Sequence, residues 1–298
     1  MKKILCIITT FMLLVFFLLF PAGALAASRR GLALWFDQLL PALLPFTVLS
    51  YVILRSNLFS FPAKVRRIAP EEWYIILCGF LFGFPIGSKL TADLYRAGRL
   101  SRKRATLLFI CANNLSPVFV TTALTELLGL SPGIFAYAVI YGIPLGVLLI
   151  RLFTLPSFVP TGQKNTASGF RLDMQIVDAG IINGFETLIK ICGYVVLFSL
   201  AAELLHLLPI GLPIFKTLLI GSMEVTTGMS ELSRLGNPLL RYVLGLCFLS
   251  WGGVSGLFQT ASIVSGTDLS MKSYTGCRLL FAIAALLLAL LFSASGIC

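Results

Sequence analysis

The sequence predicts an all-α polytopic membrane protein made of two inverted-topology repeats with broken helices and re-entrant hairpins. Three observations predict it: an apolar composition, recurring apolar runs of spanning length, and a glycine-broken segment that occurs twice. Hydrophobic residues make up 58% of the 298, charged residues 12%, and the mean hydropathy is +0.96. A water-soluble fold needs a polar exterior, which so little polar surface cannot supply. Runs such as RYVLGLCFLSWGGVSGLFQTASIV and CRLLFAIAALLLALLFSASGIC are long enough to cross a bilayer.

The net charge is +11, and the basic residues stand in short clusters between apolar runs: Lys2-Lys3, Arg29-Arg30, Lys64-Arg66-Arg67 and Arg96 to Arg104. Anionic headgroups and the positive-inside bias favour that distribution, so the lipid bilayer is the expected partner and nucleic acid is not. None of the seven cysteines forms a C-x-x-C pair, and five lie inside apolar runs, where cysteine acts as a small hydrophobe. No disulfide framework, metal site or cofactor is therefore expected. His206 is the sole histidine and reads as an interfacial residue. With no nucleophile–histidine pair, H-E-x-x-H or phosphate-binding glycine loop, no enzyme is expected.

Residues 1–28 have the basic start, apolar middle and Ala24-Leu25-Ala26 ending of a secretory signal peptide. The long apolar run from Ile4 to Phe20, with Ser28-Arg29-Arg30 following at once, favours instead a retained transmembrane helix. Residues 29–155 read as a first transmembrane repeat, 156–173 as a linker rich in Pro, Gly, Ser and Thr, and 174–298 as a second repeat. Each half starts with a long apolar segment carrying an acid near its start, Asp37 and Glu186, both read as headgroup-boundary residues. A short segment broken at glycine follows, then a segment interrupted near its middle, then a continuous closing helix.

The two glycine breaks align without a gap. Laying GFPIGSKLTADLYRAGRL on GSMEVTTGMSELSRLGNP pairs Gly83 with Gly221, Leu94 with Leu232, Arg96 with Arg234 and Gly98 with Gly236. Those four identities in eighteen exceed the one or two, roughly, that average composition gives. The shared order of elements strengthens the match. A re-entrant first segment in each half, with Pro41 and Pro45 near the tip of the first, leaves three crossings per half. The second half then enters from the opposite side, an inverted plan common among secondary transporters. Lys2-Lys3, Arg96 to Arg104 and Lys164 to Arg171 then share a face, read as cytoplasmic, while Lys64-Arg66-Arg67 falls on the other.

A break in a membrane helix frees backbone N–H and C=O groups that lipid cannot satisfy, so breaks survive packed in protein or lining a wet cavity. In transporters the half-helix ends bind substrate or ions. Gly83, Pro85 and Gly87 permit the first break, and Ser88 and Lys89 follow it. Ser222, Glu224, Thr226 and Thr227 surround the second, at Gly221 and Gly228. An acid deep in a span costs roughly 2.5–3.5 kcal/mol, which makes Glu224 a candidate ion ligand. The alternative for Glu224 is a helix-to-helix pair with Lys89 or Lys190. Asn113, Asn114 and Ser116 offer donors and acceptors either to a polar solute or to neighbouring helices. Ser250 and Ser255, with Gly252 and Gly253, mark the matching interruption. Gly83 to Lys89 is expected to face Gly221 to Gly228 across one polar cavity at the midplane.

The runs PAGALAASRRGLALWFDQLLPALLPF, GFPIGSKLTADLYRAGRLS and CANNLSPVFV together resemble the YlbJ-type sporulation integral membrane proteins, which carry a nucleoside-recognition, or gate, domain. The resemblance extends from Pro21 to Thr260. It implies an architecture similar to concentrative nucleoside transporters, a bacterial cell or forespore membrane location, and transport of dipicolinic acid during sporulation. The expected function is therefore a membrane transporter or permease for a small polar, anionic solute. Lys89 and the half-helix N-termini would offset the solute's charge, and Glu224 would bind a coupling sodium ion or proton. The alternative is a non-transporting membrane morphogenesis or scaffold protein whose breaks serve packing alone. Assembly as a homo-oligomer is compatible with both.

Overall fold

A computed structural model describes residues 2–56, 68–156, 173–209 and 211–294. The clusters Lys64-Arg66-Arg67 and Lys164 to Arg171, with nearly all of the 156–173 linker, lie outside the described residues. The first half runs α1 (Lys2–Leu19), α2 (Pro21–Leu34), a π turn (Trp35–Leu39), α3 (Leu40–Arg55), α4 (Pro70–Leu81), α5 (Ile86–Arg96), α6 (Arg102–Cys111), α7 (Pro117–Thr122), a second π turn (Ala123–Leu127) and α8 (Ile134–Thr154). The second runs α9 (Met174–Leu207), α10 (Pro213–Met223), α11 (Val225–Leu232), α12 (Pro238–Trp251), α13 (Gly253–Val264) and α14 (Met271–Ala294).

Among the described residues, four helices are long and apolar enough to cross a membrane: Ile134–Thr154, Met174–Leu207, Pro238–Val264 and Met271–Ser293. Thr10–Leu19 and Pro21–Asp37, bent by 115°, make a fifth if counted as one span. The chain is a multi-pass, all-α integral membrane protein. Phe16 of α1 packs on Ala24 and Ala27 of α2 and on Leu200 of α9. The boundary expected at residue 28 falls inside α2, because the chain turns earlier, at Phe20–Pro21, where proline opens the new helix.

The hairpins sit one segment later than Pro41 and Pro45 imply. Residues 21–55 stay helical apart from the widened π turn. Pro41 falls in the first turn of α3, where a missing N–H costs little, and Pro45 is accommodated within that helix. The counterpart, α9, is a single helix of 34 residues. These two long elements pack together, with Gly180 against Val48 and Tyr51 and Gly184 against Thr47 and Leu44.

The chain reverses instead between α4 and α5, and again between α10 and α11. A Cβ on Gly79 or on Gly87 would strike the same Ala112 carbonyl. Residues eight apart on one straight helix are separated by about 12 Å and cannot share a contact that way. A Cβ on Gly228 would likewise strike Gly221, seven residues earlier. Both pairs of half-helices thus fold back as hairpins whose arms meet at small residues, which let backbones approach closely. Each hairpin clamps the interrupted helix that follows it in its own half. The α4/α5 hairpin closes on Ala112, just before the α6/α7 break, and the α10/α11 hairpin on Phe248, just before the α12/α13 break.

Candidate functional site

The first break is closed by backbone and amide groups. Gly83 has φ +73°, a left-handed conformation that L side chains resist, and its backbone rests on Leu115 and Ser116. The Phe84 N–H donates to the Asn114 carbonyl, and the Ser88 N–H, in the first turn of α5, donates to Asn113 Oδ1 at 3.2 Å. Ser88 Oγ donates back to the Pro85 carbonyl at 2.8 Å. Asn113 Nδ2 reaches Thr260 Oγ1 on α13 at 3.3 Å and Tyr274 Oη on α14 at 2.8 Å. Asn114 Nδ2 donates to the Cys111 carbonyl, and Ser116 Oγ accepts the Phe119 N–H to cap α7. Gly83, Pro85, Gly87, Ser88, Asn113, Asn114 and Ser116 are therefore gathered in one place, bonded chiefly to protein.

At the second break Glu224 is the single residue between α10 and α11, 6% exposed. Its carboxylate accepts the Thr226 N–H at 3.0 Å, the Thr227 N–H at 2.6 Å and the Thr227 Oγ1 hydroxyl at 2.7 Å. A carboxylate at a helix N-terminus satisfies orphan N–H groups and meets the positive end of the dipole. Glu224 is thus stabilised by α11 itself; Lys89 and Lys190 do not pair with it. Ser222 Oγ donates to the Leu219 carbonyl, while the Ser222 carbonyl accepts Trp251 Nε1. Ser255 Oγ accepts Gln259 Nε2 at 3.0 Å, and Ser250 Oγ is buried with no partner among the described residues.

A cavity of about 180 Å³ opens between α5, α9 and α13. Lys89, 9% exposed, stands on its wall; its Nζ donates to Asp93 Oδ2 at 3.2 Å and to Asn183 Oδ1 at 2.8 Å. The other Asp93 oxygen takes Arg96 Nη1 at 3.0 Å, and Arg96 Nη2 reaches the Ile263 and Ser265 carbonyls, each at 2.8 Å. Those carbonyls close the C-terminal end of α13, where cations are favoured. Glu186 and Lys190 stand exposed on the lining, joined by Gln259 and Ser262 of α13. Three basic side chains (Lys89, Arg96, Lys190) face two acidic ones (Asp93, Glu186), so the lining carries one net positive charge.

Of the site residues read from the sequence, Lys89 lines this cavity and Ser222 to Gly228 do not. The two breaks do not face each other across it. Each hairpin tip docks on the interrupted helix of its own half, and at the first tip the Phe84 and Ser88 N–H groups are met by Asn114 and Asn113. The sequence reading missed the contribution of α9. Asn183, Glu186, Thr187, Lys190 and Tyr194 recur at helical spacing along one face, a signal present in the sequence but masked by the apolar residues between them. It also missed Arg278 of α14, 4% exposed, whose Nη1 donates to Asn114 Oδ1 at 2.9 Å.

Together these features define a class: a polytopic helical membrane protein with two glycine-lined hairpins, two interrupted helices and a charged cavity among them. Comparison of the sequence narrows it. The chain is 25% identical over 306 aligned residues to Sporulation integral membrane protein YlbJ of Bacillus subtilis (strain 168), covering 87% of this chain and 75% of that protein. This likeness bears out the YlbJ-type resemblance carried by the motifs. No family model and no solved structure matches the chain.

Proposed function

We propose that the chain is a secondary transporter for a small polar solute of anionic character, bound in the cavity between α5, α9 and α13. The observation that carries this reading is Lys89. A buried ammonium in a membrane chain is costly, roughly 2.5–3.5 kcal/mol at a helix centre, and such groups mark solute and ion pathways. Lys89 shares its one carboxylate with Arg96 and stands on a polar cavity whose lining is net positive. Hairpins and interrupted helices in both halves support transport, since discontinuous helices build many transporter sites. The matching element order of the halves supports an inverted repeat. Likeness to a sporulation protein supports a solute moved during spore formation, and the motif resemblance makes dipicolinic acid the first candidate. Coupling is assigned to Glu224: taking up a proton or sodium ion would weaken its hold on the first turn of α11 and loosen that hairpin.

The test is uptake by the purified protein in liposomes, across a panel of small carboxylates that includes dipicolinate, with and without proton and sodium gradients. Gradient-dependent uptake lost in Glu224→Gln supports the reading. One observation favours the scaffold alternative: Ser88, Asn113, Asn114 and Glu224 all have hydrogen-bond partners inside the protein. A folded protein that moves no solute, with Asn114→Ala and Glu224→Gln lowering only membrane abundance, would establish that alternative.

A further inference from the structure

Arg96, the last residue of α5, spans two walls of the Lys89 cavity. Its Nη1 donates to Asp93 Oδ1 on α5, while Nη2 donates to the Ile263 and Ser265 carbonyls at the end of α13, each at 2.8 Å. Asp93, Arg96, Ile263 and Ser265 all line the cavity, so the guanidinium lies as a strap from one wall to the other. It crosses at the rim. The Arg96 side chain is 40% exposed and Ser265 is exposed, whereas Lys89 and Gln259, on the same two walls, are buried. Lys89 precedes Arg96 by seven residues, so it stands about 10 Å further in along α5.

A second set of bonds backs the strap just outside the lining. Tyr95 Oη donates to Asp268 Oδ1 at 2.7 Å, and Arg102 Nε donates to Asp268 Oδ2 at 2.9 Å. These bonds pin the segment between α13 and α14 onto the junction of α5 and α6. The Arg102 and Asp268 side chains are 66% and 53% exposed, and ion pairs so exposed contribute little. The buried pairs lie elsewhere: Arg104 with Glu72 and Arg99 with Glu71 bind that junction to α4, inside the first half. Asn113, also buried, joins Thr260 and Tyr274 across the halves. The contacts costly to break are thus buried, and those at the rim are the weak ones.

We propose that Arg96 is a gate residue whose side chain bars the mouth of the cavity between α5 and the end of α13, with Tyr95, Arg102 and Asp268 as an outer clasp. The bar is a planar fork with charge-assisted bonds to three acceptors, which a lysine ammonium cannot reproduce. Asp93 holds Arg96 with one oxygen and Lys89 with the other, so the mouth and the floor of the cavity share one anchor. The gate rests on the walls of the cavity and stands whether or not a solute passes through it.

The experiment is alkylation of Gln259→Cys in the full chain in lipid nanodiscs, with the native cysteines replaced. The reagent is N-(2-hydroxyethyl)maleimide, polar and uncharged, so that a change of charge at residue 96 does not itself alter its approach. Arg96→Gln and Arg96→Lys each speed the reaction by about tenfold, since neither side chain spans all three acceptors. Tyr95→Phe, outside the lining, speeds it by about twofold, in keeping with a weak clasp. Ser250→Cys, buried and off the lining, keeps its rate in every variant, which excludes general loosening. If Gln259→Cys disturbs folding, as read by its thermal transition, Ser262→Cys on the same wall gives the comparison. If the Arg96 variants do not fold, Tyr95→Phe decides. A rate in the cavity that none of these changes raises, or one raised equally at residue 250, overturns the proposal. No outcome uses a transported solute, so the gate and the transport reading fail separately.

Discussion

Lys89 Nζ and Asn183 Oδ1 are 2.8 Å apart, a bond that ties the second arm of the α4/α5 hairpin to the continuous helix α9. Among the described residues, the other partner of Lys89 is Asp93, four residues along its own helix. Asn183 is therefore the contact that would break if the hairpin moved against α9, and it also sits on the cavity lining. Asn183→Asp would place a third acid against three bases and remove the net positive charge. Uptake of an anionic solute should fall about tenfold, equivalent to about 1.4 kcal/mol, with membrane abundance unchanged. Initial rates normalised to reconstituted protein read this directly, and an unchanged rate would separate the cavity's charge from solute selection.

The hairpin tip makes a second prediction, on stability. Gly83 has φ +73° and its backbone is in contact with Leu115 and Ser116, so an alanine Cβ there collides with main chain that cannot yield. Gly129 has φ +64° with open space around it. Gly129→Ala should cost about 1–2 kcal/mol, the left-handed penalty alone. Gly83→Ala should cost more than about 3 kcal/mol, strain and collision together. Thermal inactivation in detergent compares them, and equal shifts would mean that the tip does not rest on the α6/α7 break.

A buried ion pair supplies the third. Arg104 Nη1 and Glu72 meet at 2.6 Å with side chains 3% and 1% exposed. Removing one partner strands a buried charge, so Glu72→Gln or Arg104→Met should each destabilise by about 3–5 kcal/mol. The double variant should lose clearly less than the sum, because both desolvation costs disappear together. Additive losses in the same unfolding assay would show that the two groups act apart.

The breaks themselves were legible in the sequence, since glycine, proline and asparagine act on their own backbone. Gly83 and Pro85 stand where α4 ends and α5 begins, Asn113 and Asn114 where α6 stops, and Gly252 where α12 gives way to α13. The partners of the freed groups were not legible. Pro41 and Pro45 looked like the tip of a hairpin, yet the chain stays helical there, as proline is tolerated where the first turn or neighbouring packing meets the loss. The cavity exists only because α5, α9 and α13 meet, which no local pattern encodes. Arg278 was hidden for a related reason. A single arginine near the start of an apolar run reads as an interfacial anchor until the helix is seen to begin at Met271, seven residues earlier.

A fourth prediction concerns topology. If the halves are inverted repeats, a cysteine placed at the junction of α5 and α6, within Arg99 to Lys103, and one beside Asn237, between α11 and α12, are equivalent positions on opposite faces. A membrane-impermeant maleimide should reach them from opposite sides of sealed vesicles. Labelling from the same side would make the repeat parallel and remove that support for transport.

The most direct measurement is solute occupancy of the cavity beside Lys89. Ser262 of α13 lines it, so Ser262→Cys, in a background with the native cysteines replaced, reports occupancy through its rate of alkylation. A transported carboxylate should slow that reaction in a saturable manner, with a half-effect at the concentration that half-saturates uptake. Lys89→Gln should abolish the protection while leaving the unprotected rate alone. A solute that is transported yet never slows alkylation of this cysteine would contradict the assignment of the pathway to this cavity.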